Sequence, residues 1–387
     1  MQTPRDAGPG GNHERLCFID VARAVAIVWM LASHFVTVSL VDSARDLESP
    51  VYLAYARLRS YTAPLFLTVS GLVFVYFLCS SGLPVAANPR VRRGLRRAAM
   101  LIGVGYLLRV NPRFLLEDFD AGVTYLYQVH ILHVVGVGLL SLVLLYALHR
   151  SLRRLPLGWL LLVAALSTFA ATPVVLALDL AGWPKPLASY LVTDRASFTL
   201  FPWLGYMLIG GACGALVHRF GGVRSHGGAP MGRLAVAAVL SGGGLLLHLR
   251  ATSWVFRAYR ACPAEMDCAF MTPTHVWLAR AGAIVAFLGL LMALEPLLRR
   301  HAPPVLLLAG QQTLFLFALH AVLLYGECTG YGLDDVLGHA LSPAAAVFGG
   351  VLFAAFHVWL ARARRSPSFG RAPWAALRPW QASRTRA

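Results

Sequence analysis

The apolar residues of this chain fall in blocks of about 17 to 25 residues, the length an α-helix needs to cross the hydrocarbon core of a bilayer. A soluble amphipathic helix breaks its apolar face with polar positions every third or fourth residue. These blocks mostly do not. They run over 17–41, 62–82, 98–112, 126–148, 156–178, 198–218, 234–250, 275–297, 304–326 and 343–361. The pattern predicts an all-α, polytopic membrane bundle of about ten spanning helices. Only 13% of the residues are charged, about half the share of a soluble domain.

The net charge of +17 resembles that of a nucleic-acid binder until its placement is read. With the N-terminus inside, most Lys and Arg fall on the inner side, while the acids fall mainly outside. That is the positive-inside bias, and it excludes nucleic acid as a needed partner. It predicts both termini in the cytoplasm, in a multi-pass protein of the cell membrane (the inner membrane of a prokaryote), with the lipid bilayer as its first partner. The arginines at 90, 92, 93, 96 and 97 form the strongest marker, expected as an inner loop. No cleavable signal peptide is expected, because the first span is too long for one and begins with Asp20 and Arg23. Residues 1–15 read as a disordered cytoplasmic tail, 16–365 as one membrane domain, and 366–387, with Trp374 and Trp380 among arginines, as a basic cytoplasmic tail. Cys262 and Cys268 share an outer loop where oxidation is permitted. Spacing alone leaves their pairing open, and the oligomeric state is not legible.

The first span carries the chemistry. Asp20 and Arg23 are three residues apart and share a helix face. His34 lies eleven residues after Arg23, nearly three whole turns, on the same face and roughly 16 Å further along the axis. Ionisable groups inside a bilayer are costly and face an interior cavity. One face therefore presents an expected Asp20–Arg23 ion pair near the cytoplasm and an imidazole deeper in. The plain alternative, a helix-end pair with a packed histidine, explains the three residues less well together than singly.

The Asp-x-x-Arg-Ala-x-Ala opening, followed by His34, resembles the transmembrane acyltransferase superfamily. That group includes acyltransferase family 3 and the heparan-α-glucosaminide N-acetyltransferase-like proteins. Pro64-Leu65-Phe66 through Ser70-Gly71 resembles the family's second-span element. Four further pieces resemble the heparan-type branch: Gly105 to Pro112 at the third-span end, His130-Ile131-Leu132-His133 with Gly136, Pro202-Trp203 with Gly205, and Gln311 to Phe315 with His320. The sequence departs from that branch at Ala24, Val129 and Gln311, where Gly, Gly and Arg are usual. The animal heparan enzymes place the catalytic histidine in the following luminal loop. The corresponding loop here, 42–61, has none, which makes His34 the candidate.

The resemblance implies acyl transfer, as O- or N-acetylation, from cytoplasmic acyl-CoA to a hydroxyl or amine of an extracytoplasmic glycan. Arg23, Arg93, Arg96 and Arg97 would hold the donor phosphates, since guanidinium forks match phosphate oxygens. His34 would act as general base, with Asp20 orienting Arg23. A relay through acyl-His34 stays open. His130, His133, Trp203, His320, Arg109 and Asn111 are candidates for the acceptor side. His130 and His133 are three apart on the expected fourth helix, and no carboxylate or Cys stands nearby at ligand spacing, so no metal is expected. Trp203 follows Pro202 in an expected span, which suggests a bend near a cavity. Ser70-Gly71 reads as close helix packing. A second reading, a transporter or flippase for a polar solute, predicts interrupted helices in two matching halves, which the sequence does not display. A non-catalytic scaffold or sensor leaves Asp20, Arg23 and His34 together unexplained.

Overall fold

The computed structural model describes residues 16–152, 155–192, 198–220, 230–262 and 268–365. Both expected terminal tails, 1–15 and 366–387, lie outside the described residues. The architecture is an all-α membrane bundle, with one isolated parallel bridge between Leu40 and Leu341.

Seventeen α-helices follow one another among the described residues. They begin with α1 (Cys17–Ser39), α2 (Pro50–Arg59), α3 (Thr62–Cys79), α4 (Pro89–Arg109), α5 (Pro112–Glu117) and α6 (Phe119–Tyr127). Next come α7 (Ile131–Leu152), α8 (Leu157–Leu176), α9 (Lys185–Leu191), α10 (Trp203–Phe220), α11 (Pro230–Arg260) and α12 (Thr274–Ala293). The last are α13 (Glu295–His301), α14 (Pro304–Gln311), α15 (Thr313–Tyr325), α16 (Leu333–Leu337) and α17 (Pro343–Ala363). Among the described residues, 7 helices or helix runs are long and apolar enough to cross a membrane, or up to 8 if α14 and α15 form one span bent by 76°. The other two expected spans are helical, as α4 and α10, but fall outside that set.

Three sequence expectations change. The arginine stretch is helix rather than loop: Pro89 opens α4 and the Asn88 side chain accepts a hydrogen bond from the Arg90 N–H. An Asn cap, a first-turn Pro and helix-tolerant arginines favour this start. The fourth span is broken at 128–130, so His130 precedes α7 while His133 lies within it. Pro202 stands before α10 rather than within a span, so it kinks no helix.

Lipid offers no hydrophobic force between helices, so close packing relies on small residues. A side chain at Gly210 would collide with the Thr68 carbonyl, and one at Gly71 with the Met207 carbonyl, so α3 and α10 touch backbone to backbone. Gly244, Gly282 and Gly289 do the same for α11 and α12. Around α1, Gly310 of α14 abuts the Asp20 backbone and Gly350 of α17 abuts Ala32. The start of α1 is fixed by Glu295, whose buried carboxylate accepts from Cys17 N–H at 2.9 Å and Phe18 N–H at 2.6 Å. Arg299 Nε donates to the same carboxylate at 2.8 Å. An anion there satisfies the orphan donors of the helix N-terminus and complements its dipole. Cys262 and Cys268 form a disulfide, their Cα atoms 6.5 Å apart.

Candidate active site

Two polar regions lie at opposite ends of α1. At one end, Arg23, Arg90, Arg93 and Arg97 line a cavity of about 200 Å³, with Ser70 and Phe74 among its walls. Residues 90, 93 and 97 recur at helical spacing, so they share one face of α4. Arg92 and Arg96 lie on the other side and do not line this cavity. Of the arginines expected at the donor phosphates, Arg23, Arg93 and Arg97 line the cavity and Arg96 does not, while Arg90 lines it as well.

The expected Asp20–Arg23 ion pair is not formed. Arg23 has no carboxylate within 4.0 Å among the described residues, and its Nε lacks a hydrogen-bond partner there. Shared helical face is a condition for pairing, not a guarantee of it. Asp20 instead accepts a hydrogen bond from Gln311 Nε2 at 3.2 Å, and Gln311 Oε1 accepts one from Arg365 at 2.8 Å. The guanidinium that the resemblance places at 311 is thus supplied at one remove, through an amide.

At the other end, His34 Nδ1 lies 3.2 Å from His320 Nε2. His320 is buried, and its Nδ1 contacts the Phe317 carbonyl oxygen. A carbonyl only accepts, so the neutral His320 carries its proton on Nδ1 and offers a lone pair at Nε2. His34 must then donate from Nδ1, which leaves the lone pair on His34 Nε2. Tyr325 sets its ring edge-on to His34, with centroids 5.8 Å apart. His320 thus stands beside His34, on α15, rather than forming a separate site.

A third cluster gathers at the same end. Arg109 Nη1 and His130 Nε2 lie 3.9 Å and 3.7 Å from the two oxygens of Glu327, a buried residue just after α15. Arg109 also lies over the Tyr125 ring at 4.8 Å. Burial pushes the Glu327 carboxyl up to about 7, against the opposing effect of Arg109. His130 and His133 do not act as a pair. His133 Nδ1 accepts from the His130 backbone N–H at 2.9 Å, and its ring packs on Tyr106, centroids 4.2 Å apart. Asn111 caps α5 through Phe114 N–H. Trp203 packs on Phe198 and Tyr206, with centroids 4.9 Å and 6.1 Å away.

Sequence reasoning missed Glu327 and Tyr325. The only signal was an acid and an aromatic at the end of the ninth apolar block. Arg113, which together with Arg109 closes the third block, points outward and pairs with Glu117 at 3.2 Å and Asp335 at 3.4 Å.

The described residues thus form a multi-pass helical membrane bundle with an arginine-lined cavity at one end of α1 and a hydrogen-bonded histidine pair at the other. Residues 15–250 match the family model described as heparan-alpha-glucosaminide N-acetyltransferase, catalytic, and the chain belongs to that family of membrane acetyltransferases. The match includes α1 through α10 and most of α11. Gln311, His320 and Glu327 lie beyond it. No curated protein matches the chain.

Proposed function

We propose that the chain moves an acetyl group from acetyl-CoA, taken up at the arginine end of the bundle, to a hydroxyl or amine of a glycan at the other end. The observation that carries this reading is the hydrogen-bond chain from the Phe317 carbonyl through His320 to His34. It directs the free lone pair to His34 Nε2, and a general base needs that lone pair aimed at its proton. Arg23, Arg90, Arg93 and Arg97 supply fixed cations for the donor phosphates. Arg23 and His34 stand roughly 16 Å apart along one helix, so an extended donor arm is needed to bridge the two ends.

The step balances simply. The acceptor oxygen or nitrogen attacks the thioester carbonyl as His34 Nε2 takes its proton. The carbon–sulfur bond breaks, and the proton leaves on the thiolate as free CoA thiol. His34 becomes an imidazolium in between, and the His320 Nε2 lone pair opposite its Nδ1–H steadies that charge. Holding donor and acceptor together removes much of the entropic barrier.

The test is reconstitution in proteoliposomes with labelled acetyl-CoA on one side and a panel of glycans on the other. Acetylated glycan with equimolar thiol release supports the proposal. Thiol release with no acceptor product under any condition overturns the glycan assignment. The transporter reading requires two matching interrupted helices. Among the described residues the one pair bent by more than 40° is α14 and α15, which carries His320; the break between α6 and α7 at 128–130 is not bent to that degree.

A further inference from the structure

The tight α3–α10 and α11–α12 pairs do not close on each other everywhere. Between α10 and α11, with α8 as a side wall, lies a groove of about 1150 Å³. Its body is apolar, from residues such as Leu162, Ile209, Leu216, Leu240 and Val285. Its other lining residues include His149, His218 and Arg219 near the ends of α7 and α10, and no carboxylate is among them. Cys79, the last residue of α3, lines it too, while Phe77 lines the arginine cavity. The two openings therefore share one end of the bundle, the end that the positive-inside bias assigns to the cytoplasmic leaflet.

Small residues keep the groove open. Gly158, Ala212, Ala215 and Gly243 all line it. At Gly243 a Cβ would meet no atom within 4 Å, although the neighbouring Gly244 is pressed against Ala286. Gly in a helix interior is destabilising relative to Ala. Close packing accounts for Gly244 and does not account for Gly243.

We propose that this groove holds a phospholipid of the cytoplasmic leaflet with an anionic headgroup. The acyl chain lies along the apolar walls, and the phosphate sits at Arg219 beside His149 and His218. Arg219 has no carboxylate within 4.0 Å among the described residues and is exposed. Its charge is therefore open to an outside anion. Anionic lipid is the occupant that satisfies both the apolar body and the cationic rim, whereas a zwitterionic lipid places a second positive charge against Arg219. A basic residue at a membrane surface favours anionic lipid by about fivefold.

The experiment uses full-length protein, delipidated in detergent and offered phosphatidylglycerol or phosphatidylcholine at equal concentration, with retained lipid read by native mass spectrometry. The parent protein is expected to retain phosphatidylglycerol about fivefold better than phosphatidylcholine. Arg219→Gln is expected to retain both lipids equally. Gly243→Phe is expected to narrow the groove, reduce retained lipid of either kind, and keep its lipid-free melting temperature. Equal retention of the two lipids by the parent protein overturns the proposal. So does undiminished retention in folded Gly243→Phe. A preference that survives in Arg219→Gln overturns the assignment of the headgroup to that side chain.

Discussion

Replacing His320 by Leu removes the acceptor for the His34 Nδ1–H, whose nitrogen lies 3.2 Å from His320 Nε2. His320 is buried, so water cannot take its place freely. A buried donor left without a partner costs about 1–3 kcal/mol. If that cost falls on the reactive arrangement of His34, the transfer rate drops by about 5- to 150-fold. His320→Gln is the informative companion, because its amide oxygen can stand near the Nε2 position and accept the same proton. It should recover most of the loss. The assay is single-turnover release of CoA thiol with a productive acceptor, run beside a melting curve for each variant. In the double variant with His34→Gln, the His320→Leu loss should largely vanish, since residues acting as one unit are not additive. Parental rates in folded His320→Leu would refute the positioning argument. So would full additivity with His34→Gln.

Three further outcomes follow from separate parts of the structure. Glu327 has its carboxyl raised by burial to about 7, so the folded protein binds a proton there that the unfolded chain releases; stability is full below about pH 4.5 and falls by about 3 kcal/mol as pH rises through 7. Melting curves in detergent should therefore drop between about pH 4.5 and 7 for the parent and stay flatter for Glu327→Gln, and equal slopes would count against it. Arg93→Gln should weaken acetyl-CoA binding by about tenfold while Arg96→Gln, on the other face of α4, leaves it unchanged; calorimetric titration separates the two, and equal losses would point to diffuse charge instead of a site. Gly210→Leu forces a side chain into the Thr68 carbonyl, so the α3–α10 contact should fail and detergent-soluble protein should fall severely; a parental yield and melting temperature would disprove that contact.

The bundle was legible because bilayer thickness writes itself into the chain as apolar runs. The spacing of Asp20, Arg23 and His34 also placed one ionic end and one imidazole end on α1. What the spacing did not reveal was which partner each side chain takes. Asp20 turns to Gln311, almost three hundred residues away, rather than to Arg23. His34 finds His320 by the same kind of long-range contact. Periodicity within one helix carries no information about facing helices. The arginine stretch shows the opposite case: 90, 93 and 97 could have been separated from 92 and 96 by helical spacing alone, had the stretch been read as helix and not as loop. Glu295 was hidden inside an expected span, where its role at the start of α1 depends on a fold-level approach. Gly210 and Gly243 look alike in sequence, yet one meets a backbone and the other meets open space.

If His34 is the general base of acetyl transfer, replacing its imidazole removes the group that takes the acceptor proton. The direct measurement is the single-turnover transfer rate of His34→Gln in proteoliposomes, with acetyl-CoA affinity measured on the same preparation. A positioned general base contributes about 10²–10⁴-fold in rate. His34→Gln is expected to lose that order of rate with donor affinity and melting temperature close to the parent. Transfer at the parental rate by folded His34→Gln would contradict it.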